Sequence, residues 1–232
     1  MDATAIIQLI CIAAIPLIFA ITLHEAAHGW IASKCGDKTA SIMGRVSANP
    51  LKHIDLFGTI ILPLMMLTLS GFIFGWAKPV PVAWQNLRNP RRDMALVAIA
   101  GPAANLVMAF AWAIIAKLSH LIFTHPNTHE ILRETAAFIH FTSRFGIMIN
   151  CVLLAINLIP IPPLDGSRVI TALLPPDLAR KYNRIEPYGI WIFLGLLFLM
   201  YFTGTSAVIF GPITSLIHWI QGIFGLSAII PH

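Results

Sequence analysis

Charge is scarce in this 232-residue chain: 15 basic and 10 acidic side chains make up 11% of it, against about a quarter in a soluble domain. With 57% hydrophobic residues and a mean hydropathy of +0.80, that shortage excludes an ordinary water-soluble globule. Cysteine is equally thin. Cys11 and Cys151 fall within apolar runs and Cys35 stands alone in a polar segment, so no disulfide framework is encoded and nothing points to an oxidising compartment. Repeats, low-complexity tracts and polar insertions of domain size are also missing. One domain is therefore expected over 1–232, with a core over about 3–185 and a terminal helical pair over 187–230. The first residues carry no basic cluster of the signal-peptide type, so the opening apolar run is expected to persist in the mature protein. The net charge of +5 does not imply nucleic acid. Its basic residues sit in short loops between apolar runs, where they orient a chain in a bilayer.

What is present is a series of uncharged runs, at 3–23, 56–77, 94–116, 145–164 and 187–232. A helix needs about 20 apolar residues to cross the hydrocarbon core. The pattern predicts an all-α polytopic membrane protein with about five transmembrane helices, a re-entrant segment and a small membrane-associated β-hairpin or sheet. Residues 33–55 mix charged, small and β-branched residues between Gly36, Gly44 and Pro50, which reads as the hairpin. The prolines of Lys78-Pro79-Val80-Pro81-Val82 suit an edge strand. The run over 56–77 is broken by Pro63, Gly71 and Gly75 and is basic on both flanks.

The sharpest chemical signal is His24-Glu25-Ala26-Ala27-His28. Residues four apart share a helix face, so both imidazoles can reach one Zn²⁺ while Glu25 lies beside the water that such an ion binds. Ionisable side chains near the end of an apolar span are costly unless functional. A catalytic zinc usually takes three protein ligands. Asp165, delivered on the turn Pro160-Ile161-Pro162-Pro163-Leu164-Asp165-Gly166, is a candidate third; it also fits the cap of a helix beginning near Ser167, and the residues alone leave both readings open. Asn157 suits an oxyanion donor or an interhelical hydrogen bond, whereas Asn105 and Asn150 read as structural. His125 and His129 are four apart but flank Pro126 in a polar loop, and they read as solvated.

Three blocks, His24 to His28, Ala100-Gly101-Pro102-Ala103-Ala104-Asn105 and Asn157 to Gly166, resemble the site-2 protease family of intramembrane zinc metalloproteases, in that family's order. Residues 44–55 and 75–82 resemble its small bacterial members. The resemblance implies a single Zn²⁺ held by His24, His28 and Asp165, with Glu25 as general base, supports an oxyanion role for Asn157, and implies a transmembrane protein substrate cut within or near its span. The partners expected are that substrate and the lipid bilayer. The ligands must meet at one depth, which a re-entrant 56–76 allows, and the basic loops then place the active site toward the cytoplasm of a multi-pass cell-membrane protein. Strand addition of substrate to the hairpin around 42–47, or to the 78–82 edge, is the expected docking mode. The competing readings are a non-catalytic membrane binder and a small metal or ion transporter.

Overall fold

The computed structural model describes residues 3–62, 65 and 77–226. Three long helices build the frame: α1 (Ala3–Cys35), α3 (Pro90–Thr124) and α4 (Glu130–Asn157). Between the first two lie a four-residue turn of helix, α2 (Thr39–Ile42), and a single π-helical turn over Leu56–Ile61. Asp55 caps that turn by accepting the Gly58 N–H at 2.7 Å. After α4 come two short helices, α5 (Asp165–Leu173) and α6 (Pro176–Asn183), and then α7 (Gly189–Thr203) and α8 (Ala207–Ile223).

Among the described residues three helices are long and apolar enough to cross a membrane: Ile7–Cys35, Pro90–Thr124 and Glu130–Asn157. The expectation of about five spans is corrected by α7 and α8, whose 15 and 17 residues reach only about 22 to 26 Å at 1.5 Å per residue, short of a hydrocarbon core of about 30 Å. The expected re-entrant segment falls largely outside the described residues.

The expected β-hairpin and sheet are absent; no strand occurs among the described residues. The reason lies in the donors. Thr39 to Ile42 wind into helix, with Gly44 leaving it at φ +63°. Residues 78–82 are extended, but Pro79 and Pro81 have no N–H, so one edge cannot donate to a ladder. On the other edge, the Lys78 N–H goes to His53 O at 3.0 Å and the Val80 N–H to a Glu25 carboxylate oxygen at 2.7 Å. Arg45 holds the same segment by donating to Lys78 O and Pro79 O. The hairpin proposed as a substrate dock is therefore not there.

Small residues set how closely the helices approach, as expected where lipid supplies no hydrophobic drive between them. Ala109, Ala113 and Ala116 of α3 are fully buried against Ile147 and Cys151 of α4 and Ile213 and Ile220 of α8. A β-carbon on Gly146 would lie 2.5 Å from the Trp112 ring, so glycine is what lets α4 seat there. At the opposite end of α3, Ala32, Leu87 and Val97 pack together. The Arg88 N–H donates to Cys35 O at 3.0 Å. The end of α1 and the start of α3 thus share one end of the bundle. Because α3 and α4 form an antiparallel hairpin, the end of α4 returns to that same end.

Asp37 locks this end. Fully buried, it accepts from the Thr39 N–H at 3.1 Å and hydroxyl at 2.5 Å, from the Ala83 N–H at 2.8 Å and from the Asn86 amide at 3.2 Å. Burial pushes its carboxyl up, and these donors outweigh that, leaving it below the ordinary carboxylate value.

Candidate metal centre

His24 and His28 lie on one face of α1, and the turn after α4 swings Asp165 against them as the first residue of α5. The separations are 3.1 Å between the two Nε2 atoms, 3.2 Å from His24 Nε2 to Asp165 Oδ2 and 3.3 Å from His28 Nε2 to the same oxygen. Of the two readings open for Asp165, the structure shows the one facing the imidazoles. Leu164, not Asp165, stands at the cap position of α5.

The protonation pattern follows from what each ring touches. His28 Nδ1 lies 2.7 Å from Val97 O, and a carbonyl can only accept, so Nδ1 carries a proton and the neutral, metal-binding form of the ring presents its lone pair at Nε2. His24 Nδ1 lies 2.5 Å from Asn105 Oδ1. The amide of Asn105 is fixed in that sense because its nitrogen donates to Ala20 O at 3.3 Å and to Asn150 Oδ1 at 2.9 Å. Asn150 is fixed in turn by donating to Gly146 O at 2.8 Å. His24 therefore also presents its lone pair at Nε2 when neutral. Burial pushes the Asp165 carboxyl up, but the two imidazoles opposite bring it down to about 2, so it is anionic.

Two imidazole Nε2 atoms and an anionic carboxylate oxygen thus converge, and Asp165 Oδ2 is buried without a hydrogen-bond partner. Such a set calls for a cation. Its dimensions fit one: tetrahedral zinc at about 2.0 to 2.1 Å from each ligand sets ligand atoms about 3.3 Å apart. These three residues are the one group of histidine, cysteine or carboxylate ligands of that size among the described residues. α3 leaves the space. A β-carbon on Gly101 would fall 2.4 Å from His28 Nε2 and 2.6 Å from His24 Nε2.

Glu25, half buried, points one residue round the helix and is held by the Val80 N–H. Asn157 is not drawn into the cluster's hydrogen bonds; its amide donates to Leu153 O at 2.9 Å, one turn back in α4. The asparagine that touches His24 is Asn105, backed by Asn150, and these are the two read from sequence as structural. A signal was present: Gly101 and Asn105 repeat on α3 the four-residue spacing of His24 and His28 on α1. His125 and His129 stay in the loop, His125 accepting from the Asn127 N–H and His129 preceding α4.

Fold and centre together define a metalloprotease seated among membrane-spanning helices. The model of peptidase family M50 matches residues 12–139 and 117–202. "Putative zinc metalloprotease YwhC" of Bacillus subtilis is 40% identical over 182 residues, 78% of each chain. "Putative zinc metalloprotease Rip2" of Mycolicibacterium smegmatis is 30% identical over 181 residues, 78% of this chain and 64% of that one. No solved structure matches. The chain belongs to peptidase family M50, the site-2 protease family.

Proposed function

We propose that the chain is an intramembrane zinc endopeptidase that cuts peptide bonds within or near transmembrane segments of membrane-protein substrates. The observation that carries this is the convergence of His24 Nε2, His28 Nε2 and Asp165 Oδ2 to within 3.1 to 3.3 Å of one another, beside the carboxylate of Glu25. One zinc ion held by these three residues would supply an activated water and a Lewis acid toward the scissile carbonyl. With zinc bound there, Glu25 would take a proton from the attacking water and return it to the leaving amine. Its Oε2 is engaged by the Val80 N–H, which holds the carboxylate in place and leaves Oε1 for the proton. Asn157 uses one N–H on Leu153 O, and its second is the group this reading assigns to the developing oxyanion.

A substrate helix guards its own peptide bonds, so it must unwind to be cut, and helix-breaking residues near the scissile bond should be preferred. Of the 15 basic residues, 12 lie in segments flanking the catalytic end, the exceptions being Lys117, Arg133 and Arg144. The positive-inside rule then directs this end to the cytoplasm of a cell-membrane protein. The test is cleavage of a model transmembrane substrate by the wild type and Glu25→Gln, with zinc measured in both. Loss of cleavage with zinc retained is expected. Equal cleavage by the two would remove the mechanism, and equal inactivity with zinc bound would favour the non-catalytic binder.

A further inference from the structure

The end of the bundle away from Asp165 holds a second pair of imidazoles. His120 of α3 and His140 of α4 face each other with ring centroids 5.3 Å apart and planes tilted by 39°. His140 is 2% exposed. Its Nδ1 lies 3.0 Å from Ala116 O, so that nitrogen carries the proton and Nε2 is a bare lone pair. That Nε2 is buried without a hydrogen-bond partner, and so is Nδ1 of His120. His140 shares one feature with His28: a ring nitrogen spent on a backbone carbonyl of α3.

The ring spacing is slightly wider than that of a shared ion. Two imidazoles bound to one metal at about 2.0 Å, at angles from square to tetrahedral, have ring centres about 4.5 to 5.2 Å apart. The catalytic pair, His24 and His28, stands at 4.7 Å, and His120 with His140 at 5.3 Å. No carboxylate appears in the hydrogen bonds or ion pairs of this pair among the described residues. Arg144, one turn along α4 from His140, opposes a positive charge. The ion that best withstands such a setting is one whose bonds to nitrogen are strongest, which places Cu²⁺ ahead of Zn²⁺ and leaves out the oxygen-seeking Ca²⁺ and Mg²⁺.

We propose that His120 Nδ1 and His140 Nε2 form a second metal site, bridging α3 and α4, that takes one transition-metal dication with water completing its shell. This inference does not depend on catalysis at the first site. The test uses the full chain in detergent micelles, with the catalytic site loaded with Zn²⁺, titrated with Cu²⁺ and followed by electron paramagnetic resonance; Mg²⁺ serves as the control ion. One further equivalent of Cu²⁺ with two-nitrogen hyperfine structure is expected, and it should also form in the His24→Ala/His28→Ala chain. His120→Gln and His140→Gln should each weaken it at least about 10-fold, while transmembrane-substrate cleavage by these two variants reports that the fold survives. Should His140→Gln fail to fold, the half-exposed His120→Gln and the nitrogen count of the unaltered chain still decide. Absence of the extra equivalent, a single-nitrogen spectrum, or binding lost on replacing His125 and His129 instead would overturn the proposal.

Discussion

Gly101→Ala adds one methyl group to a helix that contributes no ligand to the His24–His28–Asp165 centre, and in most helices the change is mildly stabilising, by about 1 kcal/mol. Here the new β-carbon would stand 2.4 Å from His28 Nε2, 2.5 Å from His24 Cε1 and 2.6 Å from His24 Nε2. Ordinary contact needs about 3.5 Å, so the imidazoles and α3 must part by about 1 Å. A zinc–nitrogen bond of about 2.0 Å does not survive that displacement. Zinc affinity should fall by more than the 10- to 100-fold typical of damage outside the ligand shell, and cleavage by at least about 100-fold. Purified protein would be assayed for zinc by mass spectrometry, for cleavage of a transmembrane substrate, and for its unfolding midpoint. A midpoint at or above the wild-type value alongside lost zinc is the expected signature. Wild-type zinc and wild-type cleavage in Gly101→Ala would refute the placement of α3 against the two Nε2 atoms.

Asn105→Leu removes the acceptor that fixes His24 and should lower zinc affinity about 10- to 100-fold; Asn150→Leu should give a smaller loss in the same zinc assay, since it acts through Asn105. Asn157→Ala should cut kcat about 100- to 1,000-fold with zinc retained, and an unchanged kcat would withdraw its oxyanion role. Asp37→Ala leaves the Ala83 N–H and the Asn86 amide without their acceptor and should cost about 1 to 3 kcal/mol in thermal unfolding. Because the folded carboxyl titrates below its ordinary value of 3.8, its stabilisation is complete above that pH and is lost as pH falls through the lower folded value; the wild type, but not Asp37→Ala, should show that acid loss. Cysteines placed at Lys52 and Arg92 should label from the cytoplasmic side, and labelling from the opposite side would reverse the orientation.

The residues that converge at the candidate centre were legible because their chemistry is local: His24, Glu25 and His28 lie within five residues, and Asp165 is set apart by the prolines before it. The fold around them was less so. Residues 78–82 look like a strand by extended backbone and β-branched content, but a strand exists only through a partner, and the two prolines and Glu25 take up the donors that a partner would need. The apolar run after Pro187 is long enough on paper for two crossings. Gly204, at φ +67°, divides it into helices each too short to span. Asn105 and Asn150 were missed for another reason: their role depends on which helix faces α1, and periodicity within one helix does not contain that fact.

α3 is where these strands of the argument meet. It supplies no ligand to the His24–His28–Asp165 centre, yet Val97 O orients His28, Asn105 orients His24 and Gly101 leaves the room that an ion between them requires. A histidine pair on α1 alone would have two free rings with undecided tautomers; against α3 each ring has its Nδ1 committed and its Nε2 turned toward Asp165. Near its other end the same helix commits His140 through Ala116 O. Metal chemistry in this chain is therefore a property of how α1 and α4 dock on α3, and substitutions on the docking face of α3 should move metal content before they move the fold.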